Sequence, residues 1–257
     1  MNKFSFTGIS IDNLSFSEAL HSIAKLMRDG NCSYVVTPNA AHIYSLYNDL
    51  EFKKAYDNAS LVLADGLPLV WASRLLGNPL KERVAGSDLF GKVCQIAADN
   101  NKNIFLLGGI EGSEKAAENK LKRLYSNINI SSFSPRFGFE NDEKETDAII
   151  NTINNSNIDL LFMCVGAPKS EKWLFINRDK LKIKLACCVG TAMDLFVGRE
   201  KRAPSFMQKT GLEWLWRLMQ NPGRLWKRYL IGNTFFIWMF IKELTRKFRI
   251  ANRKSIL

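Results

Sequence analysis

Asp65 is the residue of this chain best suited to acid–base chemistry. It follows the apolar run LVLA at residues 61–64 and precedes Gly66. A carboxylate at the end of a strand can accept the proton of a substrate hydroxyl if burial raises its pKa from roughly 3.9 toward the working pH. Asp-Gly is also a common pair in turns. The residue types alone therefore leave a general base and a simple turn as equal interpretations.

The segment TPNAAH, residues 37–42, places short polar side chains at a second predicted strand end. Thr37 and Asn39 open a helix-period segment, and a helix N-terminus with such side chains can bind a hydroxyl or a phosphate. Threonine and asparagine also cap helices without any ligand. From these residues alone capping is the favoured interpretation, and substrate binding is the alternative.

The segment FLLGGIEGS, residues 105–113, is rich in glycine between a predicted strand and a predicted helix. Gly108 and Gly109 would let backbone N–H groups approach a pyrophosphate, whose charge a helix dipole favours. The spacing differs from GxGxxG, and no acidic residue about 20 positions later is placed to bind a ribose. An oxidoreductase that uses a nicotinamide cofactor therefore has little support, and we expect no cofactor.

Two later segments bring cations toward the same sheet edge. Residues 165–173, VGAPKSEKW, contain Gly166 and Lys169, and residues 189–204, VGTAMDLFVGREKRAP, contain Asp194 and three basic side chains. Cations there could neutralise a diphosphate without a metal.

The sequence gives no indication of a metal site. It lacks an HExxH motif, a DxD triplet and a His/Cys cluster. His21 and His42 stand alone on helix-period segments and are predicted to be structural. The five cysteines have no CxxC spacing, which predicts reduced core thiols in a cytosolic compartment. No secretory signal is visible, so we do not expect export by that route.

These residues need elements whose ends converge on one edge. Short apolar runs alternate with helix-period segments, which is typical of βα units around a mainly parallel sheet, and such sheets bind ligands beyond the carboxyl ends of their strands. Strands are predicted at residues 4–11, 33–37, 61–64, 103–107, 128–133, 158–165 and 185–189. Helices are predicted at residues 15–28, 40–56, 67–76, 87–100, 113–125, 143–155 and 170–180. Ser15 and Glu18 fit a capping box.

Charge divides the chain into two parts. Residues 1–198 hold 22 Lys and Arg against 22 Asp and Glu, whereas residues 199–257 hold 14 against 3 and carry the whole net charge of +11. We predict a catalytic body over residues 1–203 and a basic, tryptophan-rich appendage over residues 204–257. Such asymmetry is expected of a segment that meets a polyanion, either an anionic membrane or a nucleic acid.

The appendage favours the membrane over the nucleic acid. The run LIGNTFFIWMFI, residues 230–241, is apolar but only 12 residues long, and a spanning helix needs about 20. Tryptophans and flanking cations fit helices that lie in the interface. A helical hairpin packed on the body or on another subunit is the alternative, and a non-enzymatic module that binds nucleic acid is a more remote one.

The ordered motifs resemble the WecG/TagA/CpsF family of bacterial glycosyltransferases, glycosyltransferase family 26. The resemblance runs from about residue 33 to residue 229. It covers TPNAAH, LADGLPLV, ERVAGSDL, FLLGG, VGAPK-x-E-x-W, VG-x-A-x-D, G-x5-RAP, GLEWLWRL and P-x-RLWKRYL. Many relatives carry Gln where this chain has Ser170, which puts the role of that position and the donor preference in question.

The resemblance implies a Rossmann-like α/β body with a helical appendage that docks on the membrane. It implies an inverting, metal-independent transferase that uses a UDP-sugar and a polyprenyl-diphosphate-linked acceptor at the cytoplasmic face of the cell membrane. N-acetylmannosamine is the first expected donor sugar, with a uronic acid or another hexose as alternatives. Association of the bodies into a homo-oligomer is a further expectation.

The resemblance also implies roles for individual residues. Asp65 would be the general base, Thr37 and Asn39 would line the sugar pocket, and Arg83 would contact the substrate. The arginines expected to close over the nucleotide are Arg217, Arg224 and Arg228. The remaining predicted substrate-binding residues are Gly108, Gly109, Gly166, Lys169 and Asp194.

Overall fold

The structure is a computed structural model that describes the backbone of residues 2–254 and the side chains of residues 2–249. Its first two strands, β1 (Lys3–Phe6) and β2 (Ile9–Asp12), pair antiparallel as a hairpin. The prediction of one strand over residues 4–11 is therefore wrong. Thr7 and Gly8 have φ values of 49° and 82°, as the central residues of a tight hairpin turn do. Apolar alternation continues on both sides of this turn, so the pattern resembled a single strand.

The remaining strands form one parallel sheet. They are β3 (Ser33–Val36), β4 (Leu61–Val62), β5 (Asn103–Gly108), β6 (Asn129–Phe133), β7 (Leu160–Cys164) and β8 (Leu185–Cys188). Their order across the six-stranded sheet is β4-β3-β8-β7-β5-β6, and every neighbouring pair is parallel. This order confirms the predicted α/β fold with a parallel sheet.

Helices cover both faces of this sheet. They are α1 (Phe16–Asp29), α2 (Ala40–Asn48), α3 (Leu50–Asp57), α4 (Leu67–Leu75), α5 (Gly86–Asp99), α6 (Ser113–Leu124), α7 (Glu143–Asn155), α8 (Lys169–Asn177) and α9 (Ala192–Val197). The capping box of Ser15 and Glu18 is confirmed at the start of α1. The single helix predicted over residues 40–56 is wrong, because Asp49 has extended backbone angles and its carboxylate accepts a hydrogen bond from Phe52 N at 3.0 Å.

The core is divided by the sheet into two apolar layers. Along β7, Leu161 and Met163 lie in one layer, whereas Leu160 and Phe162 lie in the other. This alternation follows from the two-residue period of a strand, and it explains why a strand buried on both faces is apolar throughout. The strands are thus packed on both faces, and this packing positions the loops that follow their carboxyl ends.

The C-terminal part consists of three helices, α10 (Ser205–Lys209), α11 (Glu213–Gln220) and α12 (Pro222–Lys254). Helix α12 packs closely on α2, where a Cβ at Gly232 would lie 2.9 Å from Ala41 Cα. Phe236 and Met239 of α12 are buried in the same apolar layer as the hairpin, and the Phe236 ring centroid lies 5.4 Å from that of Phe6. Over the residues that the structure describes, none of the helices combines the length and apolar character that crossing a membrane requires.

Candidate active site

Two cavities open at the carboxyl edge of the sheet. The larger, about 1050 Å³, is the polar cavity, and the smaller, about 390 Å³, is the apolar cavity. Both are lined by Asn39, Arg217 and Tyr229, so they adjoin each other. Residues that follow each of the six parallel strands line these cavities. The carboxyl edge is where ligands bind in open parallel sheets. The arrangement could hold two ligands side by side.

Asp65 follows β4 and lines the apolar cavity. Its backbone N–H donates to the carbonyl of Pro38 at 2.8 Å, which ties the ends of β3 and β4 together. Burial raises the pKa of Asp65 to about 6, and the negative charge of Glu213 adds to this rise, whereas Arg217 and Arg83 oppose it. A carboxylate with this pKa is ionised at neutral pH and basic enough to take a proton from a hydroxyl.

Two arginines surround Asp65 and are held by acidic partners. Arg83 contacts Asp88 at 3.0 Å and Glu213 at 3.1 Å. Arg217 donates to the other oxygen of Glu213 at 3.1 Å and to the hydroxyl of Thr191 at 3.1 Å. Burial opposes ionisation of Glu213, but Arg217 and Arg83 together lower the pKa of its carboxyl. Glu213 therefore joins α11 to the body and fixes both guanidinium groups beside Asp65.

The glycine segment after β5 lies against the polar cavity. Gly109 has a φ of 94°, and a Cβ there would lie 2.3 Å from Met193 Cε, so a larger residue would be strained and crowded. The next residue, Ile110, donates its backbone N–H to the carboxylate of Asp194 at 2.9 Å. Asp194 is buried and orients this loop, so the structure gives it a positioning contact.

Arg224 and Arg228 extend from α12 into the polar cavity. Arg224 pairs with Glu200 at 3.3 Å. Arg228 contacts Nε2 of the buried His42, whose Nδ1 lies 3.2 Å from the hydroxyl of Tyr56. Burial and the nearby Arg228 charge lower the pKa of His42 far below its usual value. The neutral imidazole can therefore accept a hydrogen bond from Arg228 at Nε2.

The structure places the predicted substrate-binding residues in three groups. The polar cavity is lined by Asn39, Gly108, Gly109, Gly166, Lys169, Asp194, Arg217, Arg224 and Arg228. The apolar cavity is lined by Asn39, Asp65, Arg83 and Arg217. Thr37 is absent from the lining that the described residues form around either cavity.

Asn39, Thr37 and Lys169 each have a partner within the protein. Asn39 accepts a hydrogen bond from Ala41 N at 3.1 Å, which confirms the predicted cap, while it also lines both cavities. The buried Thr37 hydroxyl donates to the carbonyl of Cys188 at 3.4 Å. Lys169 pairs with Glu140 and lies 4.1 Å above the centroid of the exposed Phe137 ring. A ligand of Lys169 would compete with these contacts.

Ser170 lies at the start of α8 and is almost fully buried. Its hydroxyl has no hydrogen-bond partner among the described residues, and neither does one carboxylate oxygen of the neighbouring Glu171. Burial raises the pKa of Glu171 to about 7. Neither residue is in the described lining of the two cavities.

Sequence reasoning missed Glu213 and the contact that His42 makes. Glu213 is one acid within GLEWLWRL, and only the fold shows that it meets Arg83 from a distant segment. His42 was predicted to be structural, and its burial agrees with that. The histidine in TPNAAH and the arginine in RLWKRYL are both visible as motif residues, but no local spacing links them.

Comparison with known proteins gives a consistent result. The glycosyl transferase WecG/TagA/CpsF family matches residues 4–250. An N-acetylglucosaminyldiphosphoundecaprenol N-acetyl-beta-D-mannosaminyltransferase of Staphylococcus aureus strain MRSA252 is 28% identical over 246 residues, which cover 95% of this chain and 92% of that protein. The protein of the same description from Bacillus subtilis strain 168 is 30% identical over 213 residues, 83% of this chain and 81% of the relative. With this match over nearly its whole length, the chain belongs to the WecG/TagA/CpsF family of glycosyltransferases.

Proposed function

We propose that the protein transfers N-acetylmannosamine from a UDP-sugar to a GlcNAc-type acceptor linked to polyprenyl diphosphate, in the synthesis of a cell-surface polysaccharide. The observation that carries this proposal is the adjacency of two different cavities. One contains a basic carboxylate, and the other contains glycine loops and arginines suited to a nucleotide diphosphate. The names of the relatives from Staphylococcus aureus and Bacillus subtilis supply the sugar and the acceptor.

The geometry supports a direct displacement. Asp65 would take the proton of the acceptor hydroxyl as that oxygen attacks the anomeric carbon of the donor sugar. The bond from this carbon to the UDP oxygen would break on the opposite side, and UDP would leave with the bonding electrons. One displacement of this kind inverts the configuration of the anomeric carbon.

Arginines could stabilise the leaving diphosphate without a metal ion. Arg217, Arg224 and Arg228 line the polar cavity together. Guanidinium groups bind phosphate oxygens through paired, charge-assisted hydrogen bonds. Among the described side chains, no three His, Cys, Asp or Glu residues are grouped as possible metal ligands. We therefore propose that the arginines provide the positive charge that the reaction requires.

Other side chains of α12 suit it to a role at the membrane. Its outward surface exposes Trp226, Leu230 and Trp238, and basic side chains lie between and beyond them. Such a surface fits the interface of an anionic bilayer. We propose that the protein binds peripherally at the cytoplasmic face of the cell membrane, where a polyprenyl acceptor resides. Association of several copies remains a separate proposal.

A reaction with defined substrates tests this function. The full-length protein is incubated with UDP-N-acetylmannosamine, a short-chain lipid-diphosphate-GlcNAc acceptor and EDTA, and UDP release is followed. Acceptor-dependent release is the expected result. Release only with a UDP-uronic acid or another UDP-hexose would correct the sugar, and release that EDTA abolishes would contradict metal independence. If no UDP-sugar reacts with any polyprenyl acceptor, the proposed function is wrong.

Flotation with anionic vesicles tests the membrane proposal. A DNA mobility shift assay tests the alternative, binding to nucleic acid. We expect flotation without a shift. Strong DNA binding without flotation would favour a nucleic-acid module, the alternative that the basic charge of residues 199–257 leaves open.

A further inference from the structure

The apolar cavity is a slot between two helices. Helices α4 and α12 supply most of its apolar lining, and residues within 39–41 and 208–214 complete it. Helix α4 presents Trp71, Ala72 and Leu75, and α12 presents Phe236, Ile237 and Phe240. In each set the first and last residues are four apart and the middle one is three from the last, which places the set on one side of its helix. None of the six side chains carries a charge, whereas the same cavity is also lined by Asp65 and by the less exposed Arg83 and Arg217.

The outer part of the slot exposes large apolar side chains. Leu75 is 62% exposed, Ile237 is 56% exposed and Trp71 is 42% exposed. Exposed apolar surface that is continuous with a cavity indicates a ligand or an interface rather than a closed core. Beyond the end of α4, the amino group of Lys247 lies beside Gly77. The basic end of α12 therefore flanks the mouth of the slot.

We infer that this slot binds the first isoprene units of a prenyl diphosphate acceptor, between Trp71 and Leu75 on one wall and Ile237 and Phe240 on the other. The inference rests on the proposed function and adds the lipid subsite to it. An occupant with a polar, anionic head and an apolar tail matches the arginines and the apolar side chains that line this one cavity. A tail that leaves the slot beside Lys247 would continue toward an anionic bilayer.

The gain in affinity expected from the tail follows from the apolar surface that the slot would bury. Each buried methylene contributes about 0.8 kcal/mol, which corresponds to about fourfold in affinity. A cavity of about 390 Å³ is within the usual range for a ligand site. Enclosing several carbons of the tail should therefore strengthen binding by at least about a hundredfold.

The test compares two diphosphates in solution, without membranes. Binding of farnesyl diphosphate and of methyl diphosphate to the full chain is measured by calorimetry. The variant is Ile237→Glu, which charges the slot. The matched control is Ile241→Glu, one turn further along α12 and outside the described lining of the slot. The two isoleucines are 56% and 53% exposed, so both changes should leave the fold intact.

We expect the wild type and Ile241→Glu to prefer farnesyl diphosphate by at least about a hundredfold. Ile237→Glu should lose at least tenfold in farnesyl diphosphate affinity and keep its affinity for methyl diphosphate. Equal farnesyl diphosphate affinity in all three proteins, or no preference for the tail in the wild type, would overturn the inference. So would an Ile237→Glu protein that differs only in its oligomeric state by light scattering, because the slot would then belong to a second copy.

Turnover is measured separately and tests the proposed function. A wild type that binds farnesyl diphosphate in the slot but transfers no sugar would contradict the function and support the slot. A wild type that transfers sugar to an acceptor without a tail as efficiently as to a farnesyl acceptor would support the function and contradict the slot.

Discussion

At the scale of single residues, Asp65 sets the expected pH dependence. Its pKa is raised to about 6, first by burial and then by Glu213. The ionised form is the active base, so kcat/KM should rise with pH through about 6 and then level off. Glu213→Gln removes a negative charge and should move this midpoint to lower pH. Initial rates across the pH range check this, and an unchanged midpoint would show that Glu213 does not influence the base.

Replacing Asp65 tests its role directly. Asp65→Asn keeps the shape but cannot accept the proton, so kcat should fall by about 10² to 10⁴. UDP binding should change little, because Asp65 lies in the apolar cavity. Asp57→Asn, at a surface carboxylate paired with Lys53, is the control. Retention of most activity in Asp65→Asn would remove this residue from the base role.

His42 should position Arg228. His42→Leu removes the acceptor at Nε2, and the KM for the UDP-sugar should rise about tenfold, the cost of about one hydrogen bond to a charged group. His42→Gln offers a new acceptor and should recover part of the loss. Steady-state kinetics on both variants would show this, and equal effects of Leu and Gln would indicate a packing role only.

The same histidine makes the stability of the folded protein depend on pH. Its pKa is depressed in the folded protein, so below roughly pH 6.5 the unfolded chain binds a proton that the folded chain does not. The contribution of His42 to stability therefore falls as pH decreases. Thermal unfolding at about pH 5 and pH 7 should show a smaller acid effect in His42→Gln than in the wild type.

Individual site residues differ in how far the sequence reveals them. Asp65 and the glycines after β5 follow apolar runs, and a parallel sheet brings such strand ends together, so their proximity could be predicted. Glu213 could not be identified, because its ion pairs with Arg83 and Arg217 depend on how α11 packs against the body. The Thr37 hydroxyl was expected in a pocket, and its direction toward Cys188 depends on strand register.

At the scale of elements, the contact between α12 and α2 depends on a small residue. A Cβ at Gly232 would lie 2.9 Å from both Cα and O of Ala41, which are backbone atoms that cannot move easily. Gly232→Leu should therefore displace α12, cost about 1–3 kcal/mol and lower the Tm by several degrees. Calorimetry and sugar transfer would measure both effects.

Gly223→Leu is the matched control for this change. It lies in the first turn of the same helix, and a Cβ there would meet no atom within 4 Å. Its stability should remain close to that of the wild type. If both variants were equally destabilised, the contact with α2 would not be the cause, since leucine has a higher helix propensity than glycine at either position.

Elements with strong, uninterrupted patterns were predictable, and those divided by only one or two residues were not. The buried strands β7 and β8 are apolar throughout, β5 has no polar side chain after Asn103, and all three were identified within two residues of their bounds. The hairpin was missed because apolar alternation resumes directly after Thr7 and Gly8, although it shifts there from even to odd positions. The break at Asp49 was missed because the apolar period continues from α2 into α3, and only the cap at Phe52 N shows where α3 begins.

At the scale of the whole molecule, the appendage contributes both to the site and to the core. A chain that ends after Gly211 would lose Arg217, Arg224 and Arg228 from the polar cavity. It would also lose Phe236 and Met239 from the apolar layer beside the hairpin. We propose that the rest folds without them, as the predicted division at residue 203 implies.

The truncated protein should keep its sheet, as seen by circular dichroism, and lose nearly all sugar transfer. Two large side chains missing from a core cost about 2–5 kcal/mol each, so the Tm should fall by roughly 10 to 20 °C. A truncated chain that does not fold would show that α12 is an integral part of the core.

The guanidinium of Arg217 borders both cavities and therefore couples two equilibria. An anion bound in the polar cavity would neutralise part of the Arg217 charge, which also lowers the pKa of Asp65. Nucleotide and acceptor should thus change each other's dissociation constants, and thermodynamic reciprocity requires the two factors to be equal. In such an enzyme, the affinity for the donor depends on whether the acceptor is already bound, and the affinity for the acceptor depends equally on the donor.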